Sequence, residues 1–287
     1  MNLGTETLWY LELSGNFLTG FEQSIDILPW NNLRDLKLSG NKLGGALPIP
    51  PRSIISYMVS DNRLTGEIPQ AICNLPSLVF LQLSSNNLSS KLPQCLGNIS
   101  HSASVLDLRN NSFSGDIPDA FSSDCTLREI DFSQNQLEGK IPRSLANCTQ
   151  LEILNIGENK INDVFPSWLG IFPKLRVLIL RSNRLHGVIG KPRATFEFQR
   201  LQIVDLSGNC FRGLCGKPLS RKCGNGEDSL PAAKRDEGSA AYPLEFGWKV
   251  VVIGYASGLV IGVILGCVMD TRKYEWLVKN YFARWQR

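Results

Sequence analysis

The stretch Leu127-Arg128-Glu129-Ile130-Asp131-Phe132-Ser133-Gln134-Asn135-Gln136-Leu137-Glu138-Gly139-Lys140-Ile141-Pro142 decides the reading of this chain. Apolar residues stand at Leu127, Ile130, Phe132 and Leu137, an Asn at 135, and a Gly-x-Ile-Pro unit closes it. The same order returns throughout, with the Asn at 16, 41, 62, 86, 111, 135, 159, 183 and 209, in steps of 21 to 26 residues. Self-similarity at such a period marks a repeat array. No unit buries its own apolar face, and stacked neighbours cover one another.

The period and the pattern are those of leucine-rich repeats. The expected fold is an α/β repeat solenoid over residues 1–209, about nine repeats, with a parallel β-sheet on the concave face. Each Asn ends a short strand, where its amide satisfies backbone groups of the adjacent turn. Left unpaired and buried, it would cost roughly 1–3 kcal/mol, so a hydrogen-bonded ladder is expected. Gly66-Glu67-Ile68-Pro69, Gly115-Asp116-Ile117-Pro118 and Gly139-Lys140-Ile141-Pro142 resemble the plant-specific class of extracellular repeats. Copies decay at Asp163-Val164-Phe165-Pro166 and at Gly187-Val188-Ile189-Gly190.

The variable strand positions face the concave side in columns. The first is Tyr10, Asp35, Ser56, Phe80, Val105, Glu129, Ile153, Val177, Ile203; the second is Glu12, Lys37, Met58, Gln82, Asp107, Asp131, Asn155, Ile179, Asp205. A third is mostly Ser, broken by Arg109 and Arg181. Ile153, Val177 and Ile179 beside Arg181 form either an interaction patch or a chance scatter of apolar residues. With Phe80 and Arg109 they are the ligand-binding candidates.

Sequons place N-glycosylation candidates at Asn87, Asn98, Asn110 and Asn147. Asn87 and Asn110 adjoin ladder positions and are expected to be partly shielded, which favours Asn98 and Asn147. Cys215 and Cys223 follow the last repeat, where a cap (210–223) must cover the exposed core, so a disulfide is the natural reading. Cys73 and Cys95 sit at nearly equal offsets in adjacent repeats and are a second candidate pair; Cys125, Cys148 and Cys210 read as small buried hydrophobes.

Residues 224–247 have the composition of a juxtamembrane linker. From Val250 to Met269 the chain carries no charge. A helix there would span ~30 Å, the hydrocarbon thickness of a bilayer, so one transmembrane helix is expected over 248–269. Gly254, Gly258, Gly262 and Gly266 fall on one helix face. They are either a groove for a partner helix or the ordinary glycine enrichment of membrane helices. Basic residues prevail over 270–287, which puts the C-terminus in the cytoplasm. That tail is too short for a folded domain, and its Tyr274, Leu277, Val278, Tyr281, Phe282 and Trp285 suit a short helix on the inner leaflet.

A net charge of +4 over 287 residues, without Lys/Arg blocks, gives no sign of nucleic acid. His101 and His186 are the sole histidines, with no placeable nucleophile or acid partner; no phosphate loop, zinc spacing or kinase signature occurs, so no catalytic residue, cofactor or metal is expected. Met1 to Glu6 shows no signal-peptide pattern.

Five stretches stand out: Leu92-Pro93-Gln94-Cys95-Leu96-Gly97-Asn98, Ile141-Pro142-Arg143-Ser144-Leu145-Ala146-Asn147-Cys148, Val177-Leu178-Ile179-Leu180-Arg181-Ser182-Asn183, Gly213-Leu214-Cys215-Gly216-Lys217-Pro218-Leu219 and Gly247-Trp248-Lys249-Val250-Val251. On these the chain resembles the plant receptor-like proteins, the kinase-less Cf-type resistance-protein family. The resemblance implies a single-pass type I plasma-membrane receptor in plant defence. It would bind a peptide, protein or glycan outside the cell and signal through an adaptor or co-receptor kinase that meets the span glycines. Against the family pattern the chain starts inside a repeat, and only five residues separate Asn209 from Cys215. An N-terminal truncation and loss of the irregular insert and last repeats are therefore expected. The alternative is a truncated, non-sensing protein that modulates full-length receptors, or a non-functional fragment.

Overall fold

Strands of three residues recur where the L-x-L segments stand. Tyr10–Glu12, Asp35–Lys37, Ser56–Met58, Phe80–Gln82, Val105–Asp107, Glu129–Asp131, Ile153–Asn155, Val177–Ile179 and Ile203–Asp205 pair in parallel and in chain order as one nine-stranded sheet. The computed structural model describes residues 4–20, 27–189 and 198–212. The chain divides into two units, Met1–Gly224 and Asn225–Arg287, and every described residue belongs to the first.

The register aligns the central residues Leu36, Tyr57, Leu81, Leu106, Ile130, Leu154 and Leu178, all buried in one core. Strand side chains alternate between faces, so the flanking residues of each triplet face outward on the concave side. Tyr57 replaces the usual Leu at this position and is fully buried; its Oη donates to the Pro48 carbonyl at 2.6 Å. That bond satisfies the one polar atom its ring carries inward.

Behind the sheet runs the asparagine ladder. In each of eight repeats, from Asn41 to Asn209, the side chain accepts from a backbone N–H of the preceding repeat and donates to a carbonyl of that repeat and to one in its own turn. Asn86 accepts from Leu64 N and donates to Val59 O and Leu83 O; Asn135 accepts from Phe113 N and donates to Leu108 O and Phe132 O. The residue just before the Asn is left-handed. It is Gly at 15, 40 and 208, but Asp61, Ser85, Asn110, Gln134, Glu158 and Ser182 take φ of 51° to 55° there. An L-residue in that region costs roughly 1–2 kcal/mol, which the ladder must offset.

The connecting segments differ from the expected α/β alternation. Among the described residues they are 3₁₀ helices, Gln70–Asn74, Gln94–His101, Arg143–Asn147 and Ser167–Ile171, each preceded by Pro. Before the first three of these, a second strand uses up chain that a longer helix would need. Gly44–Ala46, Arg63–Gly66, Asn87–Lys91, Ser112–Asp116 and Gln136–Glu138 form a five-stranded outer sheet. With five to eight residues remaining, i→i+3 bonding suffices. The outer sheet stops where the Gly of Gly-x-Ile-Pro becomes Asp163. The Asp163 carboxylate accepts from Ile141 N and Val164 N, and Val164 makes only an isolated bridge to His186.

Disulfides join Cys73 to Cys95 and Cys125 to Cys148, each across adjacent repeats on the 3₁₀ side. The second corrects the reading of Cys125 and Cys148 as thiols buried for packing alone. Among the described residues no helix is long and apolar enough to cross a membrane. The span 248–269, the linker 224–247, the tail 270–287 and Cys215 and Cys223 lie outside the described residues.

Candidate functional site

Columns predicted from the spacing are the columns of the sheet. Phe80, Val105, Glu129, Ile153, Val177 and Ile203 are register partners in succession, as are Asp107, Asp131, Asn155, Ile179 and Asp205. Neighbouring strands lie ~4.8 Å apart, so Phe80 and Ile153, three strands apart, are separated by ~14 Å. The six candidates therefore fall into two groups, Phe80 with Arg109 and Ile153, Val177, Ile179 with Arg181.

The second group is one surface. Ile153 and Val177 are partly buried side by side, and Ile203, 54 % exposed, extends the strip. Gly157 makes room beside it: a Cβ there would stand 3.1 Å from Arg181 Cγ and 3.3 Å from Ile179 Cγ2. Arg181 lies along this rim, its Nη2 2.6 Å from Glu158 Oε1 and its Nη1 3.9 Å from Asp205 Oδ2. Pairs this exposed contribute under about 1 kcal/mol, so their effect is orientation rather than stability. Hydrogen bonds from the Ser207 side chain and backbone hold the Asp205 carboxyl below the usual range, with Arg181 adding to it.

An acidic group adjoins the strip. Asp107 and Asp131 are register partners, and Glu129 shares a strand with Asp131 and pairs with Ile153 on its other side. Asp131 Oδ1 accepts from Ser133 N and Oγ at 2.9 and 2.6 Å, and Oδ2 from Asn155 Nδ2 at 3.0 Å. Asp107 Oδ1 accepts from Arg109 N at 3.1 Å, with Arg109 Nη2 3.9 Å from Oδ2. Burial, then the charges of Asp107 and Asp131, push the Glu129 carboxyl up to about 7, against the pull of Arg109. Burial raises Asp107 as well, opposed by Arg109 and reinforced by Asp131. Sequence reasoning passed over this group. Its signal was present, since two columns read side by side place 107, 129 and 131 together.

The remaining candidates are scattered. Asn87, Asn98, Asn110 and Asn147 are all exposed, so Asn87 and Asn110 are not shielded by the neighbouring ladder. Asn110 Nδ2 donates to Ser85 Oγ and Asn147 Nδ2 to Phe121 O at 2.9 Å. Cys210 is a free, exposed thiol. His101 and His186 are exposed on different repeats. Among the described residues no group of three His, Cys, Asp or Glu is arranged to hold a metal. Gly254, Gly258, Gly262 and Gly266 lie outside the described residues.

Two leucine-rich-repeat family patterns match, over residues 77–99 and 101–161. Receptor-like protein 54 of Arabidopsis thaliana is 40 % identical over 214 residues, which is 72 % of this chain and 27 % of that protein. The chain thus spans about a quarter of that relative's length. The Arabidopsis GASSHO1/SCHENGEN3 receptor-kinase ectodomain, solved with CASPARIAN STRIP INTEGRITY FACTOR 2, superposes with TM-score 0.65 at 25 % identity, covering 76 % of this chain and 31 % of that one. The Arabidopsis receptor kinase HAESA, solved with the peptide hormone IDA and the co-receptor SERK1, gives 0.61 at 29 %, covering 72 % and 38 %. The first of these is named a receptor-like protein, and the two solved ectodomains are those of receptor kinases.

Proposed function

This chain is a member of the plant leucine-rich-repeat receptor-like proteins, and from that premise we propose that it is a non-enzymatic, single-pass membrane receptor-like protein that binds an extracellular ligand on its concave face. One observation carries the reading: the partly exposed apolar strip Ile153–Val177–Ile203 lies on the open face of the parallel sheet, with charged residues on both sides. The charge-free run Val250–Met269, the basic tail and the four exposed sequons support a type I plasma-membrane protein with its repeats outside. A role in defence rests on the family alone.

The test is gel mobility of the tagged full chain from plant cells, with and without an N-glycosidase. A mobility shift, lost when Asn87, Asn98, Asn110 and Asn147 are all changed to Gln, is the expected result. An unshifted chain places the repeats outside the secretory lumen and ends the receptor reading.

Signalling falls to a partner receptor kinase whose membrane helix packs on Gly254, Gly258, Gly262 and Gly266. Changing all four to Leu is expected to lower co-purification of a receptor kinase from the same cells by tenfold or more. Equal recovery removes the glycine face from the account.

A further inference from the structure

We propose that the concave face selects an extended peptide segment that sets an aliphatic side chain on the Ile153–Val177–Ile203 strip and, about three residues away, a lysine or arginine against Asp107, Glu129 and Asp131. The inference rests on the concave-face reading above and names the chemistry of its ligand.

Geometry sets the spacing. From the Glu129 strand to the Val177 strand is two steps of ~4.8 Å, and to Ile203 three. A peptide laid across the strands advances ~3.3 Å per residue, so those steps correspond to about three and four residues. The strip is the longest apolar run of its column, and an aliphatic side chain is what it can cover. A strip of this kind on an open sheet suits a chain segment better than a small molecule, which favours an enclosing pocket.

Charge then decides the other contact. Beside Ile153 stand three carboxyl groups, and the nearest cation on the same strands, Arg109, is engaged by Asp107. At the far rim the Arg181 guanidinium is taken by Glu158 and Asp205. An acidic ligand would meet repulsion at one end and an already paired cation at the other. A basic side chain would meet complementary charge at the first end and leave the second undisturbed. Glu129 faces Asp107 and Arg109 from the preceding repeat, Asp131 on its own strand, and Ile153 and Asn155 from the following one. A ligand cation would lower the mutual repulsion of that group, which no residue of the strip can do.

The full chain in lipid nanodiscs is panned against a displayed library of random decapeptides. Recovered peptides are expected to share a Lys or Arg three or four positions from an aliphatic residue. Reversal of that residue to Glu in the synthetic peptide should weaken binding at least thirtyfold, and Glu129→Gln in the chain about tenfold. Peptides that lack a basic residue yet lose binding to Val177→Glu would overturn this selectivity and leave the concave-face reading standing. Peptides that bind the Val177→Glu chain undiminished would overturn both. Recovery of no peptide above the empty-nanodisc background overturns the inference as well.

Discussion

Asn135→Ala is expected to destabilise the repeat unit by about 2 kcal/mol, because one buried N–H is left without its acceptor and three buried carbonyls each lose one of two donors. The Phe113 N–H loses its acceptor, and the carbonyls of Leu108, Phe132 and Ser133 lose the amide they share. Asn135 is buried. Since Phe113 and Leu108 belong to the preceding repeat, the loss falls on the interface between repeats, which is what holds a solenoid together. Asn16 provides the internal contrast. It is exposed and donates only to Leu13 O and Ser14 O, so Asn16→Ala should cost under about 1 kcal/mol. Urea unfolding followed by circular dichroism measures both. Equal and small losses would mean that the ladder follows the fold rather than stabilises it.

The inner sheet was legible because its determinants are local and periodic. Leu at alternate positions and Asn at a constant step fix which residue faces the core, so the columns read from spacing match the register residue for residue. What was not legible depends on competition for chain length or on neighbours. Gln70–Asn74, Gln94–His101 and Arg143–Asn147 follow an outer strand that takes residues first, whereas Ser167–Ile171 stays as short without one. The left-handed turn is hidden because Ser85, Gln134 and Glu158 occupy it where Gly15 and Gly40 would have announced it. The Cys125–Cys148 disulfide was readable by the argument applied to Cys73 and Cys95. Counted from the ladder, 125 − 111 is 14 and 148 − 135 is 13, nearly equal offsets in adjacent repeats. On the concave face the apolar residues drew notice as exceptions, whereas acids on a surface look ordinary until the register sets them side by side. Their perturbation is a tertiary effect of burial and mutual charge.

That perturbation gives the stability of the chain a distinctive pH dependence. With its folded-state value near 7 and an unfolded value near 4.5, Glu129 binds more protons in the folded chain than in the unfolded one between those limits. Its contribution is fully present below about pH 4.5, declines as pH rises, and is gone above about 7. Glu129→Gln keeps the shape of the side chain and removes the ionisation. The variant should therefore unfold like the parent near pH 4.5 and become more stable relative to it as pH rises, by about 2 kcal/mol at pH 7.5 once partial solvent screening is allowed for. Taking the difference between the two chains cancels the shared titrations of Asp119 and Asp205, whose lowered values act in the opposite sense. A difference that stays flat from pH 5 to 8 would mean an ordinary carboxylate and no strained acidic group. The strain also bears on recognition. A cation brought to Glu129 restores at neutral pH the stabilisation that ionisation removes, so binding of a basic peptide should release a proton near pH 6 and tighten as pH rises toward 7.5. The cost that the fold carries in the free chain is thus the source of selectivity for a positively charged partner.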